Sequence, residues 1–151
     1  MDISEFLEIV ENREKHTKNK IVVGYLKDEI ISFLNKNDVE VHTKEIYLNH
    51  KGLAHLSRDS KRQRGGGLSR EDIIRIPLIL ENISAIFFET TKQRFNLLYC
   101  ENNTKKCIKL VIDTKFVYKG EKLTLIKTAG YINKSDMKNP NFKLIFGEWI
   151  V

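Results

Sequence analysis

The sequence predicts an α+β domain, with helices first and an antiparallel sheet last. Two observations carry this. Before position 84 the apolar residues recur mainly at helical spacing, at Ile3, Phe6, Leu7 and Val10 and again at Ile30, Ile31 and Leu34. After it the period becomes two, in "SAIFFET", "RFNLLYCE", "KKCIKLVID", "KFVYKG" and "KLTLIKTAGYI". A length of 151 residues suits a single core, and helix-then-strand order is the α+β pattern. We read residues 1–151 as one domain: 1–19 as an N-terminal helix and connector, 20–151 as the core.

In chain order, the first helix ends where "NREKHTKNK" breaks the apolar pattern. "KIVVGYL" is short and β-branched, a strand. "KDEIISFLNKN" is the second helix, and "VEVHTKEIYL" alternates as an extended stretch. A short helix starts after Asn49 and covers His50 to Ser57. Ser69, followed by Glu71 and Asp72, is a helix N-cap: the hydroxyl accepts from free first-turn N–H groups, and the acids suit the dipole there. Pro77 ends that helix or opens a second one. No proline interrupts the later β runs, and Pro140 falls in the break before "FKLIFGEWI", which closes the sheet.

Composition narrows the function classes. Apolar content of 41% and charged content of 30% mark a globular chain. The apolar run from Ile73 to Leu80 is interrupted by Arg75 and Pro77, so nothing reads as a membrane span. The acidic N-terminus lacks a secretion signal, which makes the cytoplasm the expected location. Cys100 and Cys107, without other ligand-type neighbours, do not make a zinc site. They flank the turn "ENNTKK", where a hairpin disulfide is one reading and two half-buried free thiols the expected one in a reducing compartment.

The formal charge of +6 is unevenly spread. Residues 1 to 11 carry Asp2, Glu5, Glu8 and Glu11 and no base, while residues 42 to 70 carry seven Lys or Arg against Glu45 and Asp59. His42, His50 and His55 share that basic window. Such a window attracts polyanions, although a solvated basic face has the same composition. The triple glycine at 65–67 lacks the lysine of a phosphate loop and the spacing of a dinucleotide fingerprint, so it reads as a hinge between helices. His50 and His55 are five apart with no partner carboxylate, which is not a metal pattern. No cofactor is expected.

Metal-free RNA cleavage makes other demands: a base for the 2′-hydroxyl, an acid for the leaving oxygen, and cations for the charge growing on phosphorus. Residues 55 to 64 offer His55, Arg58, Lys61, Arg62 and Arg64, with 55, 58 and 62 on one face of a helix. His50 and Lys51 precede them as further RNA contacts. Late in the chain stand Lys127, Thr128 and Tyr131. In a regular strand Lys127 and Thr128 point to opposite faces, so only one of them reaches the site. The bland alternative for His55 is packing against Leu53 and Leu56.

The order "KIVVGYL", "KEIYLNHKGLAHLSR", a basic arm, "LSREDIIRIPLILENISAIFFE", then strands ending in "IKTAGYI" resembles the phage-type branch of the barnase–EndoU–colicin–RelE (BECR) nuclease-like superfamily. The resemblance runs from about Lys20 to Val151. It implies helices packed on a four- to five-stranded antiparallel sheet and metal-independent RNA cleavage leaving a 2′,3′-cyclic phosphate. It implies His55 as general acid or base, Arg58 and Lys61 on the scissile phosphate, Thr128 bonding a phosphate oxygen and Tyr131 stacking or assisting. tRNA or another structured RNA is the implied substrate, and an acidic immunity protein the implied partner. The branch often has a second histidine or lysine just past the first. Here that stretch is "RDSKRQRGGG", leaving Lys61 as the substitute or the pair incomplete. A non-catalytic RNA-binding module is the alternative.

Overall fold

The computed structural model describes residues 1–14, 19–57, 67–101 and 106–150. Helix α1 (Ile3–Glu11) is followed by β1 (Lys20–Tyr25), α2 (Asp28–Lys36), β2 (Glu45–Asn49) and α3 (His50–Leu56). Then come α4 (Arg70–Ile74), α5 (Ile76–Glu81), β3 (Ala85–Glu89), β4 (Arg94–Tyr99), β5 (Lys106–Tyr118) and β6 (Glu121–Asn133). A 3₁₀ turn (Lys134–Lys138) leads into β7 (Phe142–Gly147).

The expected Ser69 cap forms, its hydroxyl accepting from the N–H of Asp72 at the start of α4, and the structure adds a cap at α1, where Asp2 accepts from the N–H of Glu5. Pro77 sits in the first turn of α5, where its missing N–H costs nothing.

The sheet corrects the expected architecture. It has seven strands, ordered β1-β2-β6-β5-β4-β3-β7, where four or five were expected, and it is mixed, not antiparallel. The early pair β1–β2 joins the late strands because β2 lies parallel to β6, through Ile46 opposite Thr124 and Tyr47 opposite Leu125. A parallel neighbour needs a long crossover, and the chain from α3 through β5 supplies it. β7 closes the other edge against β3. Within "VEVHTKEIYL" only Glu45–Asn49 is strand. The segment before it hydrogen-bonds across the sheet instead: His42 N–H donates to the Thr114 carbonyl and Thr43 is tied to Thr124.

The helices cover one face of the sheet. Phe6 and Leu7 of α1, Leu34 of α2, Leu53 and Leu56 of α3, and Ile76 and Ile79 of α5 are buried there against Leu48, Leu110, Ile112 and Ile126. A smaller apolar group on the other face joins Ala85, Phe87 and Leu98 to Met137 of the 3₁₀ turn, with Trp149 packed edge-on to Phe87. Among the described residues, no helix is long and apolar enough to cross a membrane.

Cys100 and Cys107 form a disulfide, which corrects the free-thiol expectation. The reason is register. Tyr99 pairs with Ile108, so the next residues outward face each other, with Cα atoms 4.5 Å apart and within bridging range. Such bonds persist in oxidising compartments, so the bridge and the cytoplasmic expectation pull in opposite directions.

Two glycines have left-handed backbone, and they separate strain from contact. Gly120 (φ 82°) has open space where a Cβ would stand, whereas a Cβ on Gly147 (φ 79°) would lie 2.2 Å from the Ser84 carbonyl oxygen. Gly120→Ala is expected to cost about 1 kcal/mol and Gly147→Ala clearly more, roughly 3 kcal/mol, because β7 must shift from β3. Urea midpoints of the two variants measure this, and equal losses would contradict the packing at the β3–β7 edge.

Candidate functional site

The site begins at the end of β2. Asn49 leaves the strand and caps α3, its side-chain oxygen accepting from the Gly52 N–H at 2.7 Å. A side chain on Gly52 would crowd that cap, with its Cβ 3.0 Å from Asn49 Oδ1 and 3.7 Å from the Ile126 carbonyl oxygen. Glycine here lets α3 sit close to β6. His50 is exposed and His55 half-buried. The His50 ring lies edge-on to Phe6, centroids 6.3 Å apart, while the His50 backbone N–H donates to the Asn19 carbonyl.

Both histidines open into one cavity of about 750 Å3 that they share with Lys51 and Lys127. Five helical residues separate them by roughly 7.5 Å along the axis. β6 reaches the same cavity through Glu121, Leu123, Leu125, Ile126 and Lys127. The end of β5 adds Phe116, Val117 and Tyr118, and the hairpin turn adds Lys119. That turn is tight because Lys119 and Gly120 both have positive φ, the geometry favoured between twisted antiparallel strands.

The charge balance is cationic. Lys20 is paired with Glu121 at 2.6 Å. Among the described residues no carboxylate pairs with Lys51, Lys119 or Lys127. Two of these ammonium groups lie over aromatic rings: Lys127 over Phe116 and Lys119 over Tyr118, each 5.3 Å from the centroid.

Lys127 and Thr128 break the alternation expected of a regular strand. Thr128 pairs with Val111 and Ile126 with Ile112, which leaves Lys127 as the extra residue of a β-bulge. Ile126 and Ala129 both pack into the helix-covered core. The two residues between them therefore both turn to the other face. Lys127 lines the cavity and Thr128 does not, although it follows on the same side of β6.

Tyr131 stands elsewhere. It packs against the core, its hydroxyl donates to Asp72, and it receives the Ser69 N–H at 3.2 Å. Asp72 in turn accepts from Arg75, and the Arg75 guanidinium also reaches Tyr99 and Glu101. Asp72, Tyr99, Glu101 and Tyr131 of this cluster, with the disulfide's Cys107, line a separate cavity of about 180 Å3. Tyr131 thus anchors the start of α4 to β6. Arg58, Lys61, Arg62 and Arg64, expected as phosphate and RNA contacts, lie outside the described residues. Of the remaining sequence candidates, His50, Lys51, His55 and Lys127 come together, while Thr128 and Tyr131 do not join them.

Sequence reading missed Phe116, Tyr118 and Lys119. The signal was present in "KFVYKG": two rings at period two on one face, followed by a Lys-Gly turn. Among the described residues no group of three His, Cys, Asp or Glu is arranged to hold a metal ion. Comparison with models of known families, with curated proteins and with solved structures gives no match.

The Tyr131 hydroxyl bonds to a carboxylate, and such bonds are worth about 1.5–3 kcal/mol. Tyr131→Phe is expected to lower unfolding free energy by that amount in urea titration. An unchanged midpoint would remove Tyr131 from this structural role.

Proposed function

We propose that the protein is a metal-independent endoribonuclease whose site is the cavity shared by His50, Lys51, His55 and Lys127. The observation that carries this reading is the meeting of two histidines from α3 with Lys127 on the β6 bulge, in one cationic cleft. Histidine is the side chain whose ordinary titration range suits proton transfer near neutrality.

In this mechanism His55 takes the proton of a ribose 2′-hydroxyl. The 2′-oxygen attacks the adjacent phosphorus while the bond to the 5′-oxygen breaks. A second proton donor protonates that leaving oxygen, giving a 2′,3′-cyclic phosphate and a 5′-hydroxyl. His50, first assigned to RNA contact, lies in the same cavity and is the second donor that "RDSKRQRGGG" did not supply. Lys127 and Lys51 stabilise charge on the phosphoryl oxygens. The reading agrees with the resemblance to the BECR nucleases, with tRNA or another structured RNA as substrate. An acidic immunity protein is the partner whose charge complements the cleft.

One observation favours the non-catalytic alternative. Thr128 does not line the cavity, and Tyr131 is engaged by Asp72 and Ser69. If the cleft only binds RNA backbones, affinity falls with salt in proportion to the phosphates contacted, and nothing is cut.

Incubation with total tRNA in EDTA, followed by mapping of product ends, separates the two. The nuclease yields discrete cuts with cyclic phosphate ends, and His55→Ala lowers the rate by about 10²-fold or more while leaving the fold intact. Undiminished cleavage by His55→Ala contradicts the site assignment, and intact tRNA with retarded mobility supports the binding module.

A further inference from the structure

We infer that the tip of the β5–β6 hairpin is a base-stacking platform that selects unpaired RNA strands for the cleft, an inference resting on the RNA reading above. Phe116 and Tyr118 sit two residues apart on regular strand, opposite Leu123 and Glu121, so both rings project from one face. Both line the histidine-bearing cavity. Phe116 is half-buried, whereas Tyr118 is 55% exposed.

The chemistry around each ring fits a nucleotide better than a purely apolar partner. A stacked base brings a phosphate with it. Lys127 lies over Phe116 and Lys119 over Tyr118, so each ring has an ammonium beside it to meet that phosphate. A ring offers two faces, and a cation on one leaves the other for a base. Lysine-and-aromatic surfaces of this kind bind single strands with little sequence preference, since every base has a π-face.

Spacing decides between paired and unpaired RNA. Two strand residues span about 6.8 Å, roughly twice the 3.4 Å rise between stacked pairs in a duplex. Successive bases of a duplex therefore cannot occupy both rings, and their faces are already covered by their neighbours. A strand opened beyond duplex spacing can place one base on each ring and carry the connecting phosphate past Lys127 towards His55. The expected substrate is thus a loop or single-stranded segment of a structured RNA.

The test uses a fluorescently labelled 2′-O-methyl oligouridine, which binds but cannot be cleaved, in anisotropy titrations at fixed salt. Tyr118→Ala is expected to weaken binding roughly tenfold, and Tyr118→Phe to restore it. The parent protein is expected to bind a strand lacking the central bases as weakly as Tyr118→Ala binds the complete one. Binding of the corresponding duplex is expected to be weaker and unchanged by either variant. Equal affinity of parent and Tyr118→Ala for the single strand, an equal loss on the duplex, or no binding of the oligonucleotide at all overturns the inference. The last result would turn the exposed ring into a protein-contact surface. Because the probe has no free 2′-hydroxyl, the outcome is independent of turnover. A ring-dependent binder that cuts no tRNA refutes the nuclease and keeps the platform, and a nuclease indifferent to Tyr118 does the reverse.

Discussion

The short parallel seam between β2 and β6 is the constraint on which the cleft depends. It consists of two register pairs, Ile46 with Thr124 and Tyr47 with Leu125. So brief a ladder is reinforced by side chains. The Thr124 hydroxyl donates to the Thr43 carbonyl at 2.6 Å, and the Thr43 hydroxyl receives the Thr124 N–H at 2.9 Å. Thr124 is fully buried, so these bonds are shielded from competing water. Through this seam β1, β2 and α3 become one body with the long β5–β6 hairpin. Immediately beyond it β2 ends, α3 turns away, and β6 continues, paired only with β5, into the bulge at Lys127. The cleft is the space that this divergence leaves open.

Stability and function draw on the same strand. Ile126 and Ala129 of β6 are held in the core by the helices, while Leu125 and Lys127 line the cavity, which Ile126 also borders. The bulge reconciles these demands, since it places consecutive polar residues on the open face without moving either apolar neighbour out of the core. Further along, Tyr131 returns to the core side and uses its hydroxyl to hold α4. Arg70 of α4 is clamped to Glu11 of α1, and that hydrogen bond raises its already high pKa, so it stays cationic at any working pH.

Much of this was legible in the sequence, and what was not has physical causes. The helices announced themselves through apolar spacing and through two start signals, Asn49 before α3 and Ser69 before α4, whereas the Asp2 cap of α1 emerged only in the structure. The late strands were visible through period two. Their joining was not, because "KKCIKLVID" and "KFVYKG" merge into one strand across an irregular stretch at Asp113–Phe116. The strand count was low because β1 and β2 reach the sheet through a non-local pairing that no short window encodes. The disulfide depended on cross-strand register, which sequence spacing alone left open. At the site, His50, Lys51, His55 and Lys127 were legible by residue type. Lys127 and Thr128 were expected on opposite faces because a bulge leaves no mark in composition. Tyr131 was read as functional because a tyrosine bound to a carboxylate and one facing a ligand look alike in a sequence.

In the proposed function α3 and the β5–β6 hairpin form one binding surface for RNA. NMR titration of the 15N-labelled protein with an uncleavable 2′-O-methyl oligonucleotide tests this most directly. Shift changes are expected to concentrate at His50 to His55, at Phe116 to Lys119 and at Lys127, with Tyr99 and Lys143 on the far strands unmoved. Changes centred on the second cavity around Asp72 and Tyr99, or on the β7 edge, with the two histidines silent, would contradict it.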